Sequence, residues 1–129
     1  MIIQAKPKLP LNDCKVDKKK AVDNKRTELT NAGIMFQGSL FDTDPSSLRN
    51  ISYWHLQVNS GTIVPENFVW RDANNIDHPA DNDFIKNLSL SITQRGTQLY
   101  QTAWAHKANI DAMNNVQDVL AYDITTGWE

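Results

Sequence analysis

The stretch 83–113, which reads DFIKNLSLSITQRGTQLYQTAWAHKANIDAM, decides the fold, because it predicts one long helix in the C-terminal half of the chain. Mostly apolar positions repeat along it with heptad-like spacing and form one seam. Gly96 weakens the helix by up to about 1 kcal/mol relative to alanine, and allows close packing or a bend. Packing within the chain is the favoured use of the seam, with a helical partner as the alternative. Its residues are Ile85, Leu88, Ile92, Leu99, Ala103, His106, Ile110 and Met113.

Three further helices are predicted around this seam. The first covers about residues 14–31, with Asp13 as its N-cap and Gly33 as its stop signal. The second starts at Pro45, a residue that suits the first helical position. A short last helix begins near Asn115, whose side chain is a typical cap.

Two short β-hairpins complete the predicted fold. Apolar runs in residues 34–41 flank the turn residues Gln37-Gly38-Ser39. A second pair of runs lies in residues 68–76, around the turn-forming segment 72–75. The fold class is therefore α+β, mainly α, with three to four helices, one of them long and in the C-terminal half, and two short β-hairpins packed on them.

The N-terminal residues are predicted to form an extended arm, 1–14, in front of a single small globular domain, 15–129. Pro7 and Pro10 remove backbone donors and restrict the residues before them. Such an arm makes no core of its own and is expected to lie against a larger surface. Its candidate partner-binding residues are Ile2, Ile3, Pro7 and Pro10.

Charge is distributed unevenly along the chain. The net charge is −2, but residues 1–26 hold eight of the 13 basic and three of the 15 acidic residues, a local net charge of +5. In the simplest interpretation this is the solvated face of the first helix. In the alternative it binds an acidic partner, with Lys18 and Lys19 as candidate contacts. Nucleic acid is not expected as a partner, because this segment lacks aromatic residues that stack on bases.

Signals for chemistry are weak. Cys14 is the single cysteine, so no internal disulfide and no cysteine-based zinc site is predicted. No apolar run approaches the roughly 18 residues that span a bilayer, so membrane insertion is not expected. The acidic segment 72–83 fails the EF-hand pattern, which needs a glycine where Asp77 stands and a glutamate where Asp83 stands. No catalytic residue, cofactor or metal is predicted, and a small metal-dependent enzyme that uses segment 72–83 is the distant alternative.

Residues 18–44, KKKAVDNKRTELTNAGIMFQGSLFDTD, resemble the opening of a small uncharacterised domain found in tail-fibre and tail-fibre-assembly-region proteins of tailed bacteriophages. In that domain a basic helix leads to a glycine and a short F-x-G-x-x-F-D-x-D hairpin. A tryptophan-bearing hairpin like 68–75 follows, then a long helix and a tryptophan near the end, like Trp128. The hairpin residues that match are Gly33, Phe36, Gly38, Phe41, Asp42 and Asp44.

This resemblance implies a non-enzymatic structural protein of the virion, associated with the tail or its fibres and assembled in the bacterial host cytoplasm. Its expected partners are other phage tail or tail-fibre proteins, with multiple copies in an assembly. The alternative is a tail-fibre assembly chaperone that is not retained in the particle. No catalytic residue is carried over from the family. Surface aromatic residues are expected to make contacts, with Tyr100, Trp104 and Trp128 as the candidates. For Trp128 the alternative is a ring that is tucked back on the domain.

Overall fold

The computed structural model describes residues 10–129, in which four helices alternate with two antiparallel hairpins. The predicted fold class, mainly α with one long helix and two short hairpins, is confirmed. In chain order the elements are α1 (Leu11–Thr30), β1 (Ile34–Phe36), β2 (Ser39–Phe41), α2 (Pro45–Asn59), β3 (Val69–Arg71), β4 (Asp77–Pro79), α3 (Asn82–Asp111) and α4 (Val116–Ala121).

The long helix α3, predicted over residues 83–113, covers Asn82–Asp111. Asp81 is the N-cap, and its carboxylate accepts the backbone N–H of Phe84 at 2.8 Å. This satisfies one of the free amides at the helix start. Asp83 lies in the first turn, where negative charge suits the positive end of the helix dipole.

The first half of α3 carries one core cluster. Ile85 and Leu88 are almost fully buried and pack against α2 and the two hairpins. Burial of an aliphatic side chain of this size stabilises the fold by about 1.5–3 kcal/mol. This first core cluster consists of Phe41, Ile51, Val58, Ala80, Phe84, Ile85 and Leu88.

The second half of α3 carries a separate core cluster. Leu99, Ala103 and Ile110 of the predicted seam are buried there and face α1, α4 and the C-terminal residues. One helix therefore supplies the apolar surface for both cores. This second core cluster consists of Cys14, Val22, Leu99, Ala103, Ile110, Val119 and Trp128.

The helix α1 begins earlier than the sequence predicted. Residues 11–14 are helical, so the extended arm predicted for 1–14 is too long. The carbonyl of Pro10 accepts the N–H of Cys14 at 3.1 Å, and Cys14 is buried in the second core cluster. Asp13 therefore lies in the first turn and is not the N-cap. Proline suits this boundary, because its fixed φ fits a helix start. Residues 1–9 lie outside the described residues.

Hydrogen bonds tie the hairpins to each other and to the end of α1. The hydroxyl of Thr43 donates to the carbonyl of Thr30 at 2.6 Å and accepts the N–H of Gly33 at 2.9 Å. The N–H of Ala73 in the second hairpin donates to the carbonyl of Leu40 in the first at 2.8 Å.

Within residues 10–129, no helix is long and apolar enough to cross a membrane.

Gly96 lies between the two core clusters, beside a cavity of about 110 Å³. A Cβ atom built there would meet no heavy atom within 4 Å beyond its own helix. We therefore expect Gly96→Ala to raise the free energy of unfolding by about 0.5–1 kcal/mol, because alanine is the better helix former. Urea denaturation measures this change.

Gly33→Ala is the matched control for that substitution. Gly33 has a φ of +93°, and an added Cβ would lie 3.0 Å from the carbonyl oxygen of Phe41. We expect Gly33→Ala to lower the free energy of unfolding by about 1 kcal/mol or more. A loss of stability in Gly96→Ala would show that the helix needs glycine at that position.

Candidate partner-binding surfaces

The lysines of α1 bind the C-terminal ends of two other helices. Lys15 Nζ donates to the carbonyl of Asp111 at 2.8 Å, and Lys18 Nζ donates to the carbonyl of Leu120 at 3.2 Å. Lys19 Nζ lies 2.9 Å from the carboxylate of Asp111. Cations are favoured at such ends, which carry the negative pole of the helix dipole. These three lysines are half-buried, so their face is partly solvated while their ammonium groups also have partners within the chain. A partner contact by Lys18 or Lys19 would compete with these bonds.

Tyr100 and Trp104 form an exposed aromatic surface on α3. Their side chains are 46% and 62% exposed, and their ring centroids lie 5.8 Å apart. The guanidinium of Arg26 lies 4.3 Å from the centroid of the Tyr100 ring, in a cation–π contact. Arg26, Tyr100 and Trp104 are named the aromatic patch. Tyrosine, tryptophan and arginine are the residue types enriched in protein interfaces.

Of the two alternatives for Trp128, the structure has the ring tucked back on the domain, and its choice as a partner-binding candidate is wrong. Only 4% of Trp128 is exposed, and its Nε1–H donates to the carbonyl of Ile124 at 2.6 Å. Its ring lies against His106, with centroids 5.5 Å apart and an interplanar angle of 31°. The C-terminal residues fold back on α3, because burial of the large indole is favourable once its N–H has a partner.

His106 holds these C-terminal residues on α3 through both ring nitrogens. Its Nε2 lies 2.7 Å from the carbonyl of Thr126, which can only accept, so Nε2 carries the hydrogen. In the neutral ring Nδ1 then accepts from the hydroxyl of Tyr122 at 2.5 Å. That hydroxyl accepts from Asn109 Nδ2 at 3.1 Å. His106 is therefore buried at its predicted seam position, and both of its ring nitrogens have hydrogen-bond partners.

The acidic segment 72–83 begins with a buried aspartate that organises the second hairpin. The Oδ1 atom of Asp72 accepts the N–H groups of Asn74 and Ile76 at 2.8 and 3.0 Å. Its Oδ2 atom lies 2.8 Å from His78 Nε2. The bond from His78, followed by the backbone N–H bond from Ile76, holds the pKa of Asp72 below its ordinary value. Both carboxylate oxygens therefore serve the predicted turn, which the structure confirms.

An ion pair across the same hairpin uses a second aspartate of this segment. Arg71 donates through Nε and Nη2 to Asp77 at 2.8 and 3.3 Å. This bidentate contact lowers the pKa of Asp77 and raises the pKa of Arg71. Across the described residues 10–129, no three His, Cys, Asp or Glu side chains converge in a way that could hold a metal ion.

A groove at the start of α3 was not predicted from the sequence. It has a volume of about 520 Å³ and lies between loop 63–68 and residues 79–83. Apolar side chains and three carboxylates line it, and none of its lining residues is Lys, Arg or His. It is named the acidic groove. Its apolar lining includes Ile63, Pro65, Phe68 and Pro79, and its carboxylates are Glu66, Asp81 and Asp83.

Few of the candidate residues from the sequence are brought together by the fold. Tyr100 and Trp104 are adjacent and exposed, whereas Trp128 is buried. Pro10 is exposed at the start of α1. Ile2, Ile3 and Pro7 lie outside the described residues.

A comparison with protein families finds one matching family model over residues 13–126, described as a domain of unknown function (DUF4376). No curated protein and no solved structure is significantly similar to the chain. The match covers the first core cluster, the second core cluster except Trp128, and all four helices except the first residues of α1.

Replacement of Asp72 by Asn tests the role of its carboxylate. Because the pKa of Asp72 is lowered in the folded protein, its ionised form stabilises the fold fully above the unfolded pKa of about 3.9. This stabilisation is lost as the pH falls through the lowered folded pKa. We expect Asp72→Asn to be less stable than wild type at pH 7 and to lose less stability between pH 7 and pH 2. Urea denaturation across this range measures both effects.

Asp17→Asn is the control for that series, since Asp17 is exposed on α1. It is expected to keep the wild-type pH dependence. The same pH dependence in Asp72→Asn as in wild type would contradict the assigned role.

The two tryptophans of the C-terminal half are expected to respond differently to truncation. Trp128→Ala removes a buried ring and is expected to lower the free energy of unfolding by about 3–5 kcal/mol. Trp104→Ala truncates a side chain that is 62% exposed and is expected to change it by less than about 0.5 kcal/mol. Urea denaturation measures the free energy of unfolding of both variants, and a large loss identifies the tryptophan that belongs to the core. Equal losses in the two variants would contradict the distinction.

Proposed function

We propose that the chain, which belongs to the DUF4376 family, is a non-enzymatic structural protein of a bacteriophage virion, located in the tail or its fibres. It acts through contacts with other tail or tail-fibre proteins and is assembled in the bacterial host cytoplasm. The resemblance of residues 18–44 and of the tryptophan-bearing hairpin to tail-region domains supports the phage assignment. The aromatic patch is the observation that supports a role in binding.

The aromatic patch has the properties of an interface anchor. Trp104 is 62% exposed, so burial by a partner would remove a large apolar area from water. The side chain projects from the C-terminal half of a 30-residue helix, whose backbone is fixed by a core cluster on each half. A rigid anchor loses little conformational entropy on binding. Beside it, the ion pair of Lys107 with Asp23, 2.6 Å long, provides a polar rim.

Segment 72–83 supports the non-enzymatic part of the proposal. The carboxylate of Asp72 is used by the hairpin turn and His78, and that of Asp77 by Arg71. A catalytic acid or base must lie within hydrogen-bond reach of the substrate group to which it gives a proton or from which it takes one. These two carboxylates instead have structural partners, which leaves the metal-dependent enzyme as the weaker alternative.

A tail-fibre assembly chaperone is the second candidate function. The same exposed aromatic patch would suit a factor that covers apolar fibre surface during folding and then leaves. The two candidates differ in retention. A virion protein is present in purified particles at a fixed ratio to other tail proteins, whereas a chaperone is absent and raises the yield of soluble fibre on co-expression.

Quantitative mass spectrometry of purified particles tests this proposal. We expect wild-type chain at a fixed stoichiometry, and at least about tenfold less of the Trp104→Ala variant, since truncation of a central anchor commonly costs 2 kcal/mol or more. Tyr53→Ala is the matched control, because Tyr53 is a 60% exposed aromatic residue on α2. Its incorporation is expected to equal that of wild type.

Absence of the wild-type chain from particles, with raised fibre solubility on co-expression, would replace the virion role by the chaperone role. Equal incorporation of all three chains would remove the aromatic patch from the proposal.

A further inference from the structure

The acidic groove is preformed by hydrogen bonds within the chain. The side chain of Asn82 accepts the N–H of Val64 at 3.0 Å and donates to the carbonyl of Thr62 at 3.1 Å. These bonds hold the first part of loop 63–68 against the start of α3. The N–H of Ala80 donates to the carbonyl of Phe68 at 2.9 Å, which holds the end of the same loop. A groove with fixed walls binds a ligand without the cost of ordering its own loops.

The lining of the groove indicates the chemistry of its ligand. Apolar side chains are open to solvent there, including Ile63, which is 80% exposed. Glu66, Asp81 and Asp83 add carboxylates without any Lys, Arg or His in the lining. The positive end of the α3 dipole offsets about half of one negative charge, so the carboxylates leave the groove negatively charged. A complementary ligand is therefore an extended segment that combines apolar and cationic side chains.

The chain itself contains such a segment. Residues 2–9 read IIQAKPKL, with two isoleucines at one end, two lysines near the other and no acidic residue. Pro7 restricts the residue before it to extended conformations, which reduces the entropy lost when the segment binds. The apolar end suits the apolar lining, which includes the exposed Ile63 and the half-buried Phe68, and Lys6 and Lys8 suit the carboxylates.

The segment cannot reach the groove of its own chain. Lys15 contacts the carbonyl of Asp111, so α1 starts beside the end of α3, whereas the groove lies at the start of α3. The 30 residues of α3 span about 45 Å. From Pro10 to Ile2 the chain can extend by at most about 29 Å. Any occupant with this sequence must come from another molecule.

We infer that the acidic groove of one copy binds residues 2–9 of a second copy of this chain. The contact joins two different surfaces, so it is heterologous, and repetition of it gives an open or closed chain of copies. It uses neither Tyr100 nor Trp104 and is independent of the proposed tail function.

Sedimentation velocity of the full chain tests this inference, at concentrations up to about 1 mM to include weak contacts. We expect wild type to self-associate, and the association to weaken as salt rises. The groove variant Glu66→Lys/Asp83→Lys and the arm variant Lys6→Glu/Lys8→Glu are each expected to associate at least about tenfold more weakly. Asp17→Lys/Glu28→Lys is the matched control, because it makes the same charge change as the groove variant on exposed positions of α1.

A mixture of the groove variant and the arm variant gives the sharper result. Each carries the charge that complements the other, so we expect association to return when they are mixed at equal concentration. Binding of a synthetic IIQAKPKL peptide to the arm variant, measured by calorimetry, is expected to be lost when Glu66→Lys/Asp83→Lys is added. Far-ultraviolet circular dichroism verifies that the variants are folded.

Three outcomes would overturn the inference. The first is a wild-type chain that stays monomeric over the whole concentration range. The second is self-association that both charge-reversal variants retain. The third is a peptide that binds the arm variant equally well with and without the groove substitutions.

Discussion

The burial of one apolar seam along α3 is the constraint on which the rest of the structure depends. Its first half buries Ile85 and Leu88 beneath α2 and the hairpins, and its second half buries Leu99 and Ile110 beneath α1 and α4. Each short hairpin is only two strands wide and is marginal in water alone. The hairpins are stable here because the first core cluster covers their apolar faces. Loss of that half of α3 would therefore remove the support of both hairpins.

Packing in the second core cluster holds α1 on this seam, and electrostatic contacts show the direction in which it lies. Lys15 and Lys19 meet the end of α3, while Arg26 meets Tyr100 nearer to its middle, so the two helices are antiparallel. This arrangement has a functional consequence. It places Pro10, the first described residue, at one end of the molecule and the acidic groove at the other. The proposed contact of residues 2–9 with the groove is therefore one between copies.

Local signals in the sequence predicted much of this architecture. The spacing of the seam, Pro45 at a helix start and the turn at Asp72 all act within a few residues, where side chain and backbone interact directly. Surface assignments were less reliable. The sequence pattern predicts Lys18 and Lys19 on a solvated or partner-binding face and Trp128 as a candidate contact, yet all three contact residues of the same chain that are far away in the sequence. Periodicity shows which face of an element is apolar, but not which carbonyl or ring will cover it.

The sequence by itself determined the type and order of the elements, the apolar seam of the long helix and the basic, proline-containing character of the N-terminal segment. These follow from spacing, backbone propensity and covalent restriction, which need no partner. Only the tertiary structure decided that Trp128 is buried, that Tyr100 and Trp104 are exposed together, and that loop 63–68 forms a groove with the start of α3. Burial and concavity depend on how elements pack, and packing joins residues that no local pattern relates.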